Sequence, residues 1–309
     1  MKRNSKLVSG AAIMLALWAL FLLSALVISW ALDINTRLSI SGEGTRMLKA
    51  EAVACSGAEV ALHPLVNPGS PNFTGQLSDA TYEAKETGEG GRLDVNWLVA
   101  GPEDPDKLGI LRRYLENKGV DLNERETMVD SLLDWVQPDT GLHHLNAPPE
   151  SENYHPPHAG GLTRVDELKQ VAGWTDFTSQ PGWDDDFTVS TRSGIDLQWA
   201  SRDVLLAFPG MDERRVDAFL ELRRGPDGID GTQDDKIFKG DEALVVLGFN
   251  PQQNPQQIEQ LRKFLMPSRI FRITSVGRAG NATRTVQMVF MKGTVTSGGN
   301  PQVLSWREF

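Results

Sequence analysis

The chain has 309 residues, a net charge of −10 and one cysteine, Cys55. The length suits one or two domains with a sizeable core. The negative balance discourages non-specific binding to nucleic acid or anionic lipid, and a lone cysteine excludes an intramolecular disulfide.

From Ala11 to Leu32 no residue is charged, and these twenty-two residues at helical rise span roughly 33 Å, about a bilayer's hydrocarbon thickness. Trp30 sits where an interfacial aromatic belongs. Lys2, Arg3 and Lys6 precede the run and Asp33 is the first charge after it, so the basic side is expected in the cytoplasm and the body across the membrane. A cleaved secretory signal is the alternative. Against it, the run exceeds the ~7–15 apolar residues of such signals, and no A-x-A-like site follows.

The helix is expected to continue into water, because Leu38, Met47, Leu48, Ala52, Cys55 and Leu62 recur at roughly helical spacing. Gly42, Gly44 and Gly57 weaken the pattern and Pro64 should end it, which places an N-terminal helix over 11–65. After a turn-rich break at Pro68–Pro71, strands are predicted at Thr81–Thr87 and Arg92–Leu98. Gly88-Glu89-Gly90-Gly91 would join them as a hairpin, within a first β segment over 66–101.

Over 102–266 the periodicity is helical. Met128, Leu132, Leu133 and Val136 share one face of a helix over Glu124–Val136. Thr163 reads as the cap of Arg164–Ala172, with Gly173 as its stop. Ser201 caps a helix carrying Val204, Leu205 and Phe208, and Asp212 caps one carrying Val216, Phe219 and Leu220. Pro255 opens another with Ile258, Leu261 and Leu265. Over 267–309 strands return: Ile270–Val276 and Thr283–Met291 flank Gly280-Asn281, and Val303–Trp306 follows. Strands at both ends of a helical block need each other to pair, so the block reads as an insertion into one sheet, in an α+β fold.

Several constellations are candidates for chemistry. Gly10-Ala11, behind a basic leader and before the apolar run, is similar to a type IV prepilin cleavage site, with an uncut anchor as the alternative. Asp227, Asp230, Asp234 and Asp235 lie among glycines and offer hard oxygen ligands of the kind calcium takes, although the spacing is not that of an EF-hand. The alternative there is a solvated acidic turn, which is also the reading for Asp184-Asp185-Asp186. His143, His144, His155 and His158 cluster in sequence, yet no H-E-x-x-H or cysteine partner accompanies them, and two prolines separate the last pair. An exposed loop is expected there. Asp134, Asp139, Glu150 and Glu152 border it and mark a further possible cation site. No nucleophile elbow, phosphate-cradling loop or metal-protease pair occurs, so no enzyme is expected. Aspartates beside tryptophans, Asp134-Trp135 and Trp183-Asp184, are read as core motifs, not as a glycosidase pair.

The Ala11–Leu26 run resembles the start of the K-type minor pseudopilins of type II secretion systems (general secretion pathway protein K). So do Glu89-Gly-Gly-Arg-Leu-Asp-Val-Asn96, Asp130-Ser-Leu-Leu-Asp-Trp135, the Ser201–Asp212 stretch ending Phe-Pro-Gly-Met-Asp, and Leu304-Ser-Trp-Arg-Glu308. The resemblance covers most of the chain in order. It implies a pilin-like fold with a long transmembrane helix, a small antiparallel sheet and a large α-helical insertion, anchored in the inner membrane by one span with the body in the periplasm. It also implies a leader of residues 1–10 removed between Gly10 and Ala11, and calcium sites in the helical domain. The implied partners are I- and J-type minor pseudopilins, the major pseudopilin, the prepilin peptidase and the inner-membrane assembly platform. The fifth residue after the cut is Leu15, where most pilin-like subunits carry glutamate, and K-type members resemble this chain in lacking it. The implied role is a filament-capping, nucleating tip subunit. The competing reading is a membrane-anchored DNA receptor, since 201–224 resembles a helix-hairpin-helix with Arg214, Arg215, Arg223 and Arg224 nearby. Against it, Asp212 stands where a glycine normally admits phosphate.

Overall fold

The computed structural model describes residues 5–66, 69–138, 143–232, 234–238, 241–250, 252–253, 255–293 and 299–309, with side chains from residue 12 onward. Helix α1 runs unbroken from Ser5 to Leu62, 58 residues or roughly 87 Å, and stops just before Pro64 as the proline requires.

The last turns of α1 lie on a five-stranded antiparallel sheet built from β1 (Thr74–Leu77), β2 (Ala80–Gly88), β5 (Ile270–Ala279), β6 (Ala282–Met291) and β7 (Gln302–Glu308), in the order β1-β2-β5-β6-β7. Strands from the two ends of the chain therefore pair directly, β2 with β5, as the insertion reading requires. Small residues on α1 bring the helix close to the sheet. Ala54, Ala58 and Ala61 pack on Ile273, Val286, Met288 and Phe290. A side chain at Gly277 would meet the Ala50 carbonyl oxygen at 2.0 Å, so only glycine permits this approach.

Between β2 and β5 the chain makes β3 (Leu93–Asp94), α2 (Val95–Val99), α3 (Pro105–Asn117), α4 (Leu122–Val136), α5 (Thr175–Thr178), β4 (Phe187–Thr188), α6 (Arg202–Leu206), α7 (Glu213–Arg223), α8 (Glu242–Val246) and α9 (Pro255–Arg262). Their apolar faces form a second core around Tyr114, Met128, Leu132, Trp174, Phe187, Phe208 and Phe219. The caps expected at Ser201 and Asp212 are present, accepting from the amides of Val204 and Arg215. Near Thr163 the outcome is a 3-10 turn, Val165–Gln170. The Glu167 carboxylate reaches back to the Thr163 and Arg164 amides, both at 2.9 Å.

The hairpin expected between Thr81–Thr87 and Arg92–Leu98 does not form. Glu89–Gly91 is a 3-10 turn, and β3 pairs in parallel with β4. Asp94 then caps α2 through the Trp97 amide at 2.9 Å, converting the apolar run Val95–Val99 into a helix. The glycines serve close approach and do not form a reversing turn. A Cβ on Gly91 would lie 2.2 Å from the Trp199 carbonyl oxygen, and one on Gly90 would lie 2.2 Å from Ser268 Cβ.

Candidate functional site

Between Ala12 and Ile40 of α1 every residue is exposed, including Leu15, Trp18, Phe21, Leu26 and Trp30. This part of the helix is long and apolar enough to cross a membrane. Water cannot favourably solvate an apolar rod of that size, so lipid or other helices must cover it. Gly10 and Ala11 fall within the helical backbone of α1, and Gly42 and Gly44 face open space.

The sheet and the insertion meet at the Glu89–Asn96 motif, and each polar residue in it has a structural task. Glu89 is fully buried; it accepts from Arg272 Nε at 2.7 Å, from Thr188 Oγ1 at 2.5 Å and from Arg92 at 3.1 Å. Burial alone would push the Glu89 carboxyl up. The guanidiniums of Arg272 and Arg92, with the hydrogen bonds from Arg272 and Thr188, outweigh it and hold the group below the usual carboxylate range. Asp94 also accepts from the Thr191 and Arg192 amides, and Asn96 exchanges two hydrogen bonds with the backbone of Leu162. Sequence reasoning missed this joint; Glu89 stands among Gly88, Gly90 and Gly91 in a stretch that also carries Glu86, Arg92 and Asp94, so nothing local marks it for burial.

The acidic loop is closed by its own hydrogen bonds. The Asp227 amide donates to Asp234 at 3.2 Å, Thr232 Oγ1 donates to Asp234 at 2.7 Å, and the Gly231 amide donates to Asp235 at 2.7 Å. Asp230 is separated from the other three in role, because Arg223 takes one of its oxygens at 2.8 Å and Arg224 the other at 2.9 Å. Among the described residues no three carboxylates or imidazoles stand at metal-holding geometry, and Gln233 lies outside them. The four aspartates are thus near neighbours in one glycine-rich turn without forming a preassembled cage. In the Asp184–Asp186 run, Asp186 accepts from Tyr114 at 2.9 Å and from Ser201 at 2.6 Å, so this carboxylate is a packing contact and not a solvated charge.

The four histidines separate into two groups on carboxylates. His143 and His144 both face Asp134 of α4, which is buried, and His144 Nε2 lies 3.1 Å from Glu103. His155 and His158 each lie 3.3 Å from Glu150, and His158 Nδ1 is 2.8 Å from the Gln137 carbonyl. Glu152 is exposed, and Asp139 lies outside the described residues.

Burial by itself would lower the His144 pKa, but hydrogen bonds and charge from Asp134 and Glu103 raise it above the ordinary value of 6.5. A raised folded value stabilises the folded state fully below the unfolded pKa and loses that effect as pH climbs through the folded one. The loop should therefore loosen on going upward from about pH 6.5. Histidine NMR titration should show His144 above the ordinary imidazole value in the wild type and lower in Asp134→Asn. An unshifted His144 would exclude its pairing with Asp134 and Glu103.

Arg223 is buried and donates inward to the Leu197 and Ala200 carbonyls as well as to Asp230. Arg224 joins it on Asp230, and Arg215 is paired with Asp212 and the Gly210 carbonyl. The α6–α7 pair therefore offers little to phosphate, because three of the four arginines read as its partners are already occupied.

Residues 91–180 match the family model described as type II secretion system (T2SS), protein K. A chain of the crystal structure of the GspK-GspI-GspJ complex from the enterotoxigenic Escherichia coli type 2 secretion system shares the fold. Its TM-score is 0.57 at 14% identity, covering 88% of this chain and 99% of that one. No curated protein matches the sequence. A sequence match across the first half of the insertion, with a shared pilin-like fold across nearly the whole chain, supports a GspK-type minor pseudopilin, a structural component of secretion and not an enzyme.

Proposed function

We propose that this chain sits at the tip of a type II secretion pseudopilus and nucleates its assembly with I- and J-type minor pseudopilins, for protein export across the outer membrane. In this reading a prepilin peptidase cuts between Gly10 and Ala11, and the apolar helix holds the subunit in the inner membrane with the body in the periplasm. The major pseudopilin and the inner-membrane assembly platform are its further partners. The observation that carries the reading is the length of α1 left uncovered below a small sheet, a rod that needs sibling rods or lipid around it. A bulky block between β2 and β5, and Leu15 in place of a glutamate, suit a subunit placed above the shaft.

Co-expression with an active prepilin peptidase tests it. The protein should shorten by the residues of the 1–10 leader and begin at Ala11, read by N-terminal mass spectrometry. An intact leader beside a normally processed control pilin would remove the proposal.

Calcium belongs to the same reading, on Asp227, Asp230, Asp234 and Asp235. Its support is a set of hard oxygens on a turn where Gly225, Gly228 and Gly231 all take positive φ. For Asp230 to join, it must release Arg223 and Arg224. Calcium at a hundredfold above its Kd should raise stability by about 2.7 kcal/mol relative to chelator. Asp234→Ala should abolish the shift in a thermal melt. Identical melts of the wild type in calcium and in chelator would eliminate the site.

A further inference from the structure

Below the sheet, where α1 leaves it toward the apolar span, the chain gathers basic residues despite its negative total. Three of them are paired: Arg37 with Asp33 at 2.9 Å, Lys49 with Asp79 at 2.8 Å, and Arg278 with Glu83 at 3.3 Å. Two are not. Arg46 of α1 lays its Cδ against the β5–β6 turn, 3.0 Å from where a Cβ on Gly280 would stand. Among the described residues, Arg284 of β6 donates to Met47 Sδ at 3.7 Å and to no carboxylate. Both are half-buried with shielded Nε atoms, and neither has a carboxylate partner among the described residues. A partly desolvated guanidinium favours a bidentate acid, and two such groups flanking Met47 concentrate that demand in one place.

Height decides which anion can reach them. Arg46 is fourteen residues beyond Leu32, about 21 Å along the helix and still about 16 Å at a 40° tilt. The headgroup layer adds only ~5–8 Å beyond the hydrocarbon, so lipid phosphate falls short. A neighbouring subunit whose own rod runs beside α1 passes this level.

We propose that Arg46 and Arg284 receive an acidic side chain from the stalk helix of a neighbouring minor pseudopilin. The proposal rests on the assembly reading above. The pair draws one neighbour into register at the base of the sheet, where both guanidiniums are half-buried.

The test uses the full chain co-expressed in membranes with its I- and J-type siblings and purified through a tag on this chain. Arg46→Lys and Arg284→Lys keep the charge and supply an amine that a carbodiimide couples to a touching carboxylate; arginine does not couple. The expected result is a new interchain amide to a sibling's stalk, mapped by mass spectrometry and absent from the wild type. The double reversal Arg46→Glu/Arg284→Glu should cut sibling recovery on the order of tenfold. Siblings that co-purify undiminished with the reversal, without any interchain link in the lysine variants, would overturn the proposal while leaving the assembly reading standing. If no sibling co-purifies with the wild type, the assembly reading fails and this inference with it.

Discussion

Glu89→Ala should lower the stability of the body by about 3–5 kcal/mol, because it leaves a buried cation without its anion. Arg272 is 8% exposed and its fork closes on Glu89 with contacts of 2.6 and 2.7 Å, while Arg92 and Thr188 approach from the insertion side. Removing the carboxylate strands Arg272 and half-strands Arg92 at the joint between the sheet and the helical block. Removing both ends of the main pair with apolar residues of similar volume, Glu89→Leu with Arg272→Met, should recover most of the loss. Urea titration measures both. A single variant within about 1 kcal/mol of wild type would show that the joint does not depend on this pair. The sign with pH follows from the depressed Glu89 pKa: its contribution is present above the unfolded carboxyl value near 4.3 and disappears as pH falls through the lower folded value. Acid unfolding should therefore begin at a higher pH in any variant that weakens the Arg272 contact.

Trp174→Ala should cost a comparable ~3–5 kcal/mol, by a different mechanism. Trp174 is fully buried at the centre of the insertion and stacks edge-on against Phe177 and Phe187 at 5.7 and 5.9 Å. Its indole N–H donates to the Met128 carbonyl at 2.9 Å, which ties the 171–178 segment to α4. Truncation opens a cavity and removes that donor. Trp174→Phe keeps most of the ring and should cost about 1–3 kcal/mol, chiefly the lost hydrogen bond. Equal losses in the two variants would mean that the hydrogen bond, not the ring, dominates. Hydrogen exchange should locate the damage. Trp174 belongs to the insertion core, whereas Ala54, Ala58, Ile273 and Met288 form a separate one. The α1–sheet amides should therefore stay protected in Trp174→Ala and loosen in Glu89→Ala.

The sequence by itself determined the parts whose causes are local. The uncharged run from Ala11 to Leu32 forces a helix that must be covered, and Pro64 ends it. The periodicity of α4, the caps at Ser201 and Asp212, Pro255 at the start of α9 and the β5–β6 turn at Gly280-Asn281 all act within a few residues, so they were legible. The insertion was legible too, because strands at the chain's two ends had no other partners. Tertiary structure decided what each charge and glycine is for. Glycines 90 and 91 looked like a hairpin turn until Trp199 and Ser268, more than a hundred residues away, occupied the space. Glu89 meets Arg272 across 183 positions, and Asp230 goes to two arginines instead of joining its neighbouring aspartates. A turn propensity depends on its own few residues, but a buried carboxylate is settled by whichever cation the folded chain brings within 3 Å of it, and no local pattern encodes that choice.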